Sequence, residues 1–201
     1  MRDLLQPYDP QWAAAFASLR SRLLQALPDP RPGIVHVGST AIPGLPAKPI
    51  LDVDIILSGQ QDFPRVESAL VALGYLSRGD QGIPGRFAFR QSSEATPHGA
   101  STVDADSPGD ESLTQGVWMP HHLYVCLPDS LALRNHLCFR DALLADPQLA
   151  DRYGRLKRAL VKEPGMDRER YTRAKTDFVL DVLAAHGFSA DEIAEIAAAN
   201  R

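Results

Sequence analysis

A chain of 201 residues, 44% of them apolar and 23% charged, can bury one sizeable core and sits in the size range of a single domain spanning residues 1–201. Its formal net charge of −4 argues against a general electrostatic grip on nucleic acid or anionic membrane, which needs surplus Lys and Arg to neutralise phosphates. No apolar run approaches the roughly 20 residues that span a bilayer, and the first residues lack the apolar stretch of a signal peptide, so a cytoplasmic protein without membrane partners is expected. Cys126 and Cys138 lack C-x-x-C spacing and are expected to be reduced thiols.

Trp12, Phe16, Leu19, Leu23 and Leu27 recur at offsets of three and four, which predicts a helix from Pro10 to Leu27 with one buried face. Pro28, Pro30, Pro32 and Gly33 stop it, and Ile34-Val35-His36-Val37 reads as a short strand running into Gly38-Ser39. After a Pro- and Gly-punctuated stretch from Ile42 to Pro49, the segment Ile50 to Leu57 is rich in β-branched residues and reads as a strand. Asp52 and Asp54 then share one of its faces.

Asp62 is placed to cap a helix carrying Val66, Leu70 and Leu73 and ended by Gly74. Arg86 to Gln91 reads as another strand, with Phe87 and Phe89 on one face. Ser92 to Gly116 is poor in large apolar residues and rich in Ser, Gly, Asp and Pro, and is read as a long mobile loop. His122 to Leu127 resumes a strand, and residues 129–199 form a helical C-terminal portion: Ser130 to Leu144, Pro147 to Lys162, Asp167 to His186 and Ala190 to Ala199. The expected fold class is α/β in the α+β sense, a mixed sheet flanked by helices.

Chemistry concentrates in His36-Val-Gly-Ser-Thr-Ala-Ile-Pro-Gly-Leu-Pro-Ala-Lys-Pro-Ile-Leu-Asp-Val-Asp54. Like charges one pleat apart on an apolar strand cost several kcal/mol unless a cation or solvent neutralises them. Magnesium or manganese suits a pair of hard oxygen ligands with positions left for phosphate oxygens; the plainer alternative is that Asp52 and Asp54 face solvent at a strand end. Gly38-Ser39, a small residue and a hydroxyl in the turn after a strand, lets backbone N–H groups approach a phosphate. Lys48 either neutralises a phosphate or sits on the loop surface, and Pro49 after it excludes a P-loop.

His121 and His122 are adjacent, so on a strand their side chains face opposite sides and one at most belongs to the site. His122, sharing a face with Tyr124, is the candidate against a structural histidine, whereas His36 reads equally as a core histidine and His136 shows no ligand spacing. Arg90 could hold a phosphate or form an ion pair. The basic residues from Lys157 to Lys175 read as solvated helix surface.

Gly-Ser followed a dozen residues later by Asp-x-Asp resembles the signature of the polymerase-beta-like nucleotidyltransferases. Val37-Gly-Ser-Thr-Ala-Ile-Pro-Gly-Leu-Pro-Ala-Lys-Pro-Ile-Leu-Asp52 resembles the hallmark segment of one branch, the GrpB family. Leu73-Gly-Tyr75, Arg86-Phe87, His121-His-Leu-Tyr-Val125, Phe139-Arg-Asp141 and Tyr153-Gly-Arg-Leu-Lys157 are similar to its further landmarks, in order. The resemblance implies a nucleotidyltransferase-like fold, a magnesium or manganese ion on Asp52 and Asp54, and a nucleotide or other small phosphorylated ligand on Gly38 and Ser39, which Lys48, Arg90 and His122 join as candidates from their own positions. Active members of the superfamily generally supply a third carboxylate from a later strand, which the strand at His122 does not offer, so the resemblance implies either an enzyme or an inactive binding module. Oligomeric state is not legible in the sequence.

Overall fold

Trp12, Leu19 and Leu23 line the buried stripe of the first helix, α1 (Gln11–Ala26), as their spacing predicts. The computed structural model describes residues 5–99 and 117–199, and α1 is followed by β1 (Gly33–Val37), β2 (Leu51–Ile56), α2 (Phe63–Ala72), β3 (Tyr75–Ser77), β4 (Arg86–Gln91) and β5 (His121–Cys126). Helices α3 (Leu131–Ala145), α4 (Pro147–Leu160), α5 (Arg168–Ala185) and α6 (Ala190–Ala199) complete it. The strands form a five-stranded mixed sheet in the order β1-β2-β5-β4-β3, with β2 and β5 parallel and every other pair antiparallel. This is the mixed sheet flanked by helices, with a helical C-terminal portion, that the sequence predicts.

One face of β2 and β5 carries Leu51, Val53, Ile55, Leu123 and Val125, which pack with Leu19 and Leu23 of α1 and Val66 and Leu70 of α2. A second apolar cluster joins Ile42 and Leu45, in the connection from β1 to β2, to Leu143, Leu149, Tyr153 and Val182 of the C-terminal helices. The helices are started as their sequences suggest at three points: the side chains of Ser130, Asp146 and Asp167 accept from the first-turn N–H groups of α3, α4 and α5. Asp62 occupies the cap position of α2 but makes no side-chain cap hydrogen bond, and a single 3-10 turn precedes the helix instead. Among the described residues no helix is long and apolar enough to cross a membrane. Cys126 is buried, Cys138 half-buried, and both are free thiols.

Two further features of the fold were not foreseen in the sequence. The three-residue strand β3 is unannounced because a strand of that length shows no alternation; only Tyr75 of its residues is buried. Within the segment expected to be a mobile loop, residues 100–116 lie outside the described residues, but 92–99 form a packed ledge. The N–H of His98 donates to the Leu73 carbonyl at 2.8 Å, Trp118 Nε1 donates to the Pro97 carbonyl at 2.8 Å, and the Arg22 guanidinium donates to the His98 carbonyl. Backbone carbonyls fix the ledge, and composition says nothing of them.

Beneath that ledge His121, on the apolar face, donates from Nδ1 to the Met119 carbonyl (2.9 Å) and accepts from the Tyr75 hydroxyl at Nε2 (2.6 Å). Its backbone N–H donates to Gln91 Oε1, whose amide in turn donates to the Thr96 carbonyl. Burial pushes His121 down to about 4, only partly opposed by the Met119 carbonyl, so it folds as the neutral ring. Tyr75→Phe should lower stability by about 1–3 kcal/mol, because it strands the buried Nε2 acceptor; a reduced urea midpoint at unchanged slope is the expected readout. His121 also makes stability fall as pH drops from about 6.5 towards about 4, where the unfolded chain binds a proton that the folded chain refuses. Replacing His121 with Gln should flatten that part of the stability–pH curve.

Candidate functional site

Residues paired across a ladder share a face. The β2–β5–β4 register places Asp52, His122 and Arg90 in one row, with Asp54 and Tyr124 in the next. Four sequence-predicted residues therefore meet on the sheet face opposite the α1 core. Val37 of β1 stands beside Asp52, and the chain then turns at Gly38, whose φ of +70° favours glycine. A methyl group at Gly38 would overlap the Asp52 carboxylate, so only glycine lets the turn press against that acid.

Ser39 opens a one-turn 3-10 helix, Ser39–Ala41, that Thr40 ties down. The Thr40 hydroxyl accepts from His36 Nε2 (2.9 Å) and donates to the Ile50 carbonyl (3.4 Å) at the entry to β2. His36 itself pairs with Val53 on the apolar face and stacks on Phe16, with ring centroids 4.6 Å apart. Burial pushes it down to about 4. Of its two readings, the core histidine with a satisfied hydrogen bond is the one observed.

Each acid meets a histidine. His122 Nδ1 donates to Asp52 Oδ1 at 2.8 Å, with both side chains partly open to solvent. Asp54 has no exposed surface; its Oδ2 accepts from His136 Nδ1 of α3 at 2.8 Å, and its Oδ1 is buried without a hydrogen-bond partner. The solvent-facing reading therefore fails for Asp54. Burial alone would lower the His136 pKa, but the charge and hydrogen bond of Asp54, with Asp52 behind, outweigh it and hold the ring above its usual range. Beyond Tyr124, the Arg86 guanidinium lies 4.6 Å from the ring centroid, its Nε also buried and unpartnered.

Sequence reasoning assigned Lys157 to a solvated basic surface, and the structure corrects this. Its side chain is 2% exposed, its Nζ donates to Ser39 Oγ at 2.9 Å, and it lies 4.7 Å from the centroid of the Tyr153 ring. Burial pushes Lys157 down to about 7, Lys175 and Arg158 add to the shift, and Asp52 opposes it. The legible signal was position: Lys157 falls on the buried stripe of α4, four residues after Tyr153 and three before Leu160. His136 was missed in the same way, on the stripe of α3 that carries Leu133 and Leu143. Lys48 lies with Lys175 against Tyr171, at 5.3 and 4.5 Å from the ring centroid, and Arg90 stands exposed beside His122.

Two carboxylates with one oxygen each left over, Asp52 Oδ2 and Asp54 Oδ1, are the donor set that a hard divalent cation takes. Among the described residues no group of three or more His, Cys, Asp or Glu side chains converges on one point. Any ion here would draw further ligands from water or from a bound ligand.

A UPF0157 protein of Pseudomonas aeruginosa is 34% identical over 177 residues, covering 88% of this chain and 64% of that one. A dephospho-CoA kinase of Mycolicibacterium paratuberculosis is 27% identical over 188 residues, covering 88% of this chain and 44% of the kinase. The chain thus spans less than two thirds of either relative. The crystal structure of conserved protein GrpB from Enterococcus faecalis superposes with a TM-score of 0.67 at 23% identity, over 90% of this chain and 98% of that one, so the two share a fold. The family model described as GrpB protein matches residues 4–185, and the chain belongs to the GrpB family.

Proposed function

We propose that the chain is a metal-dependent, nucleotidyltransferase-like protein that binds a nucleoside triphosphate against the Gly38-Ser39 turn. The observation that carries the reading is a buried lysine, Lys157, held on the Ser39 hydroxyl while the same turn abuts the Asp52 carboxylate. Phosphate-binding and cation-binding groups thereby share one edge of the sheet. Asp52 and Asp54 hold magnesium or manganese, which when bound neutralises the phosphate oxygens and the two acids together. Ser39 and Lys157 take the phosphates, Gly38 permits their close approach, and Lys48, Arg90 and His122 line the approach. Nucleotidyl transfer to an acceptor is the reaction this arrangement serves.

A second reading has its own observation. The β5 positions registered with Asp52 and Asp54 are His122 and Tyr124, so the sheet presents no third carboxylate beside the acids. A binding module that retains nucleotide and metal without transfer fits that register. Pyrophosphate release from nucleoside triphosphates, with candidate acceptors supplied and Asp52→Ala as the background control, separates an enzyme, which exceeds that background, from a binder, which does not.

The primary test is thermal melting against nucleoside triphosphates with and without magnesium or manganese. A ligand at about 100 times its Kd adds about 2.7 kcal/mol, which for a chain of this size raises the melting temperature by about 5–10 °C. The rise should require nucleotide and metal together and vanish in Asp52→Ala; melting that no triphosphate moves would sink the proposal.

Lys157 gives the second test. With its pKa down to about 7 in the free protein, it must be protonated to meet a polyphosphate, so binding should take up a proton near pH 8 and weaken as pH rises above about 7. Calorimetry with pyrophosphate in buffers of different ionisation enthalpy reads the uptake directly. Lys157→Met should abolish it. The same variant should lose the gain in stability seen between pH 7 and 10, where the unfolded lysine holds a proton that the buried one has shed.

A further inference from the structure

The two acids are held alike, from two different elements. Asp52 Oδ1 is pinned by His122 Nδ1 of β5, and Asp54 Oδ2 by His136 Nδ1 of α3, both at 2.8 Å. A carboxylate oxygen only accepts, so each Nδ1 must carry the proton. The oxygens left over are unlike in surroundings. Asp52 Oδ2 faces the Gly38 turn, and Asp54 Oδ1 is buried with no hydrogen-bond partner.

A buried carboxylate oxygen without a partner is costly, and in a native fold such an atom calls for a missing ion or water. His136 is itself firmly placed. Ser130 caps the start of α3 and packs where Gly85 leaves no room for a side chain, and Arg140, one turn beyond His136, donates to the His36 carbonyl at 3.3 Å. The helix is thus fastened at one end to the chain leading into β4 and further along to β1, with His136 between and its ring 5.9 Å from that of Tyr124.

Resting on the metal reading above, we infer that His136 is a positioning residue, matched by His122: each fixes one oxygen of its acid so that the other is presented to the divalent cation. The imidazoles take the place of a third carboxylate by orienting the two that remain, not by ligating the ion through Nδ1. Outer partners that orient ligating side chains typically change metal affinity by roughly 10- to 100-fold when removed.

The test is Mn2+ binding to the full chain, followed by electron paramagnetic resonance on wild type, His136→Leu and His136→Asn, with melting temperature as the check on folding. Leu fills the space without an N–H, and Asn places an amide N–H where Nδ1 stood; should the Leu chain not fold, His136→Ala replaces it. The expected result is a loss of roughly 10- to 100-fold in Mn2+ affinity in His136→Leu and its recovery in His136→Asn. In 15N-histidine-labelled wild type, His136 should give no hyperfine coupling of a nitrogen bonded directly to Mn2+. Unchanged affinity in His136→Leu overturns the inference, and so does a direct nitrogen coupling that disappears in that variant. Absence of Mn2+ binding to the wild type, with and without nucleotide, defeats the metal reading itself and is told apart by occurring before any substitution is made.

Discussion

The architecture turns on a carboxylate with no access to water. Asp54 stands in β2, an interior strand of the sheet, fully buried, with a single hydrogen bond to one oxygen. Desolvating a carboxylate is among the most expensive events in folding, and the protein must meet that expense with placed donors and opposite charge. His136 reaches it only because α3 is docked across this face, and α3 is held there by the cluster of Ile42, Leu45, Leu143 and Leu149. The helical C-terminal portion is therefore part of the site. Without it Asp54 would lack its partner and Ser39 would lack Lys157.

The turn stands between the acids and the lysine, and each side keeps a group that is incompletely matched. Asp54 keeps an unpartnered oxygen, and Lys157 has a hydroxyl as its hydrogen-bond partner. A cation alone would serve the acids and leave the lysine; an anion alone would do the reverse. A divalent ion carried on a polyphosphate serves both, which is why the proposed ligand is a metal–nucleotide complex rather than either component. The spacing is fixed by packing: Gly154 of α4 lies against Pro46, where an added Cβ would come within 3.3 Å of the ring, so the helix carrying Lys157 sits close on the connection that carries Ser39.

Much of this was legible because it follows from periodicity and from residues that tolerate few conformations. The α1 stripe, the alternation that puts Asp52 and Asp54 on one face and the glycine before Ser39 all read directly from the chain. The opposed faces of His121 and His122 also followed from strand geometry, and the register bears them out. What escaped were polar groups on apolar stripes. Lys157 occupies a buried helix position and His136 a half-buried one, and their roles depend on partners 118 and 82 residues away in sequence. For Lys157 residue type suggested solvent while position on the helix suggested burial, and position was the better guide. The 92–99 ledge escaped for a different reason, since its order comes from backbone carbonyls that every residue possesses.

Aromatic rings line the basic side of the candidate site. Lys157 lies against Tyr153, and Lys48 and Lys175 both lie against Tyr171. A ring attracts an ammonium group by about 0.5–2 kcal/mol without cancelling its charge. Burial holds Tyr171 up at about 12, so the ring stays neutral. Tyr153, buried in the cluster formed with Phe139 and Phe178, is shifted in the same direction. Neutral rings thus flank all three lysines, and it is chiefly burial, with the charges of Lys175 and Arg158 added to it, that lowers Lys157.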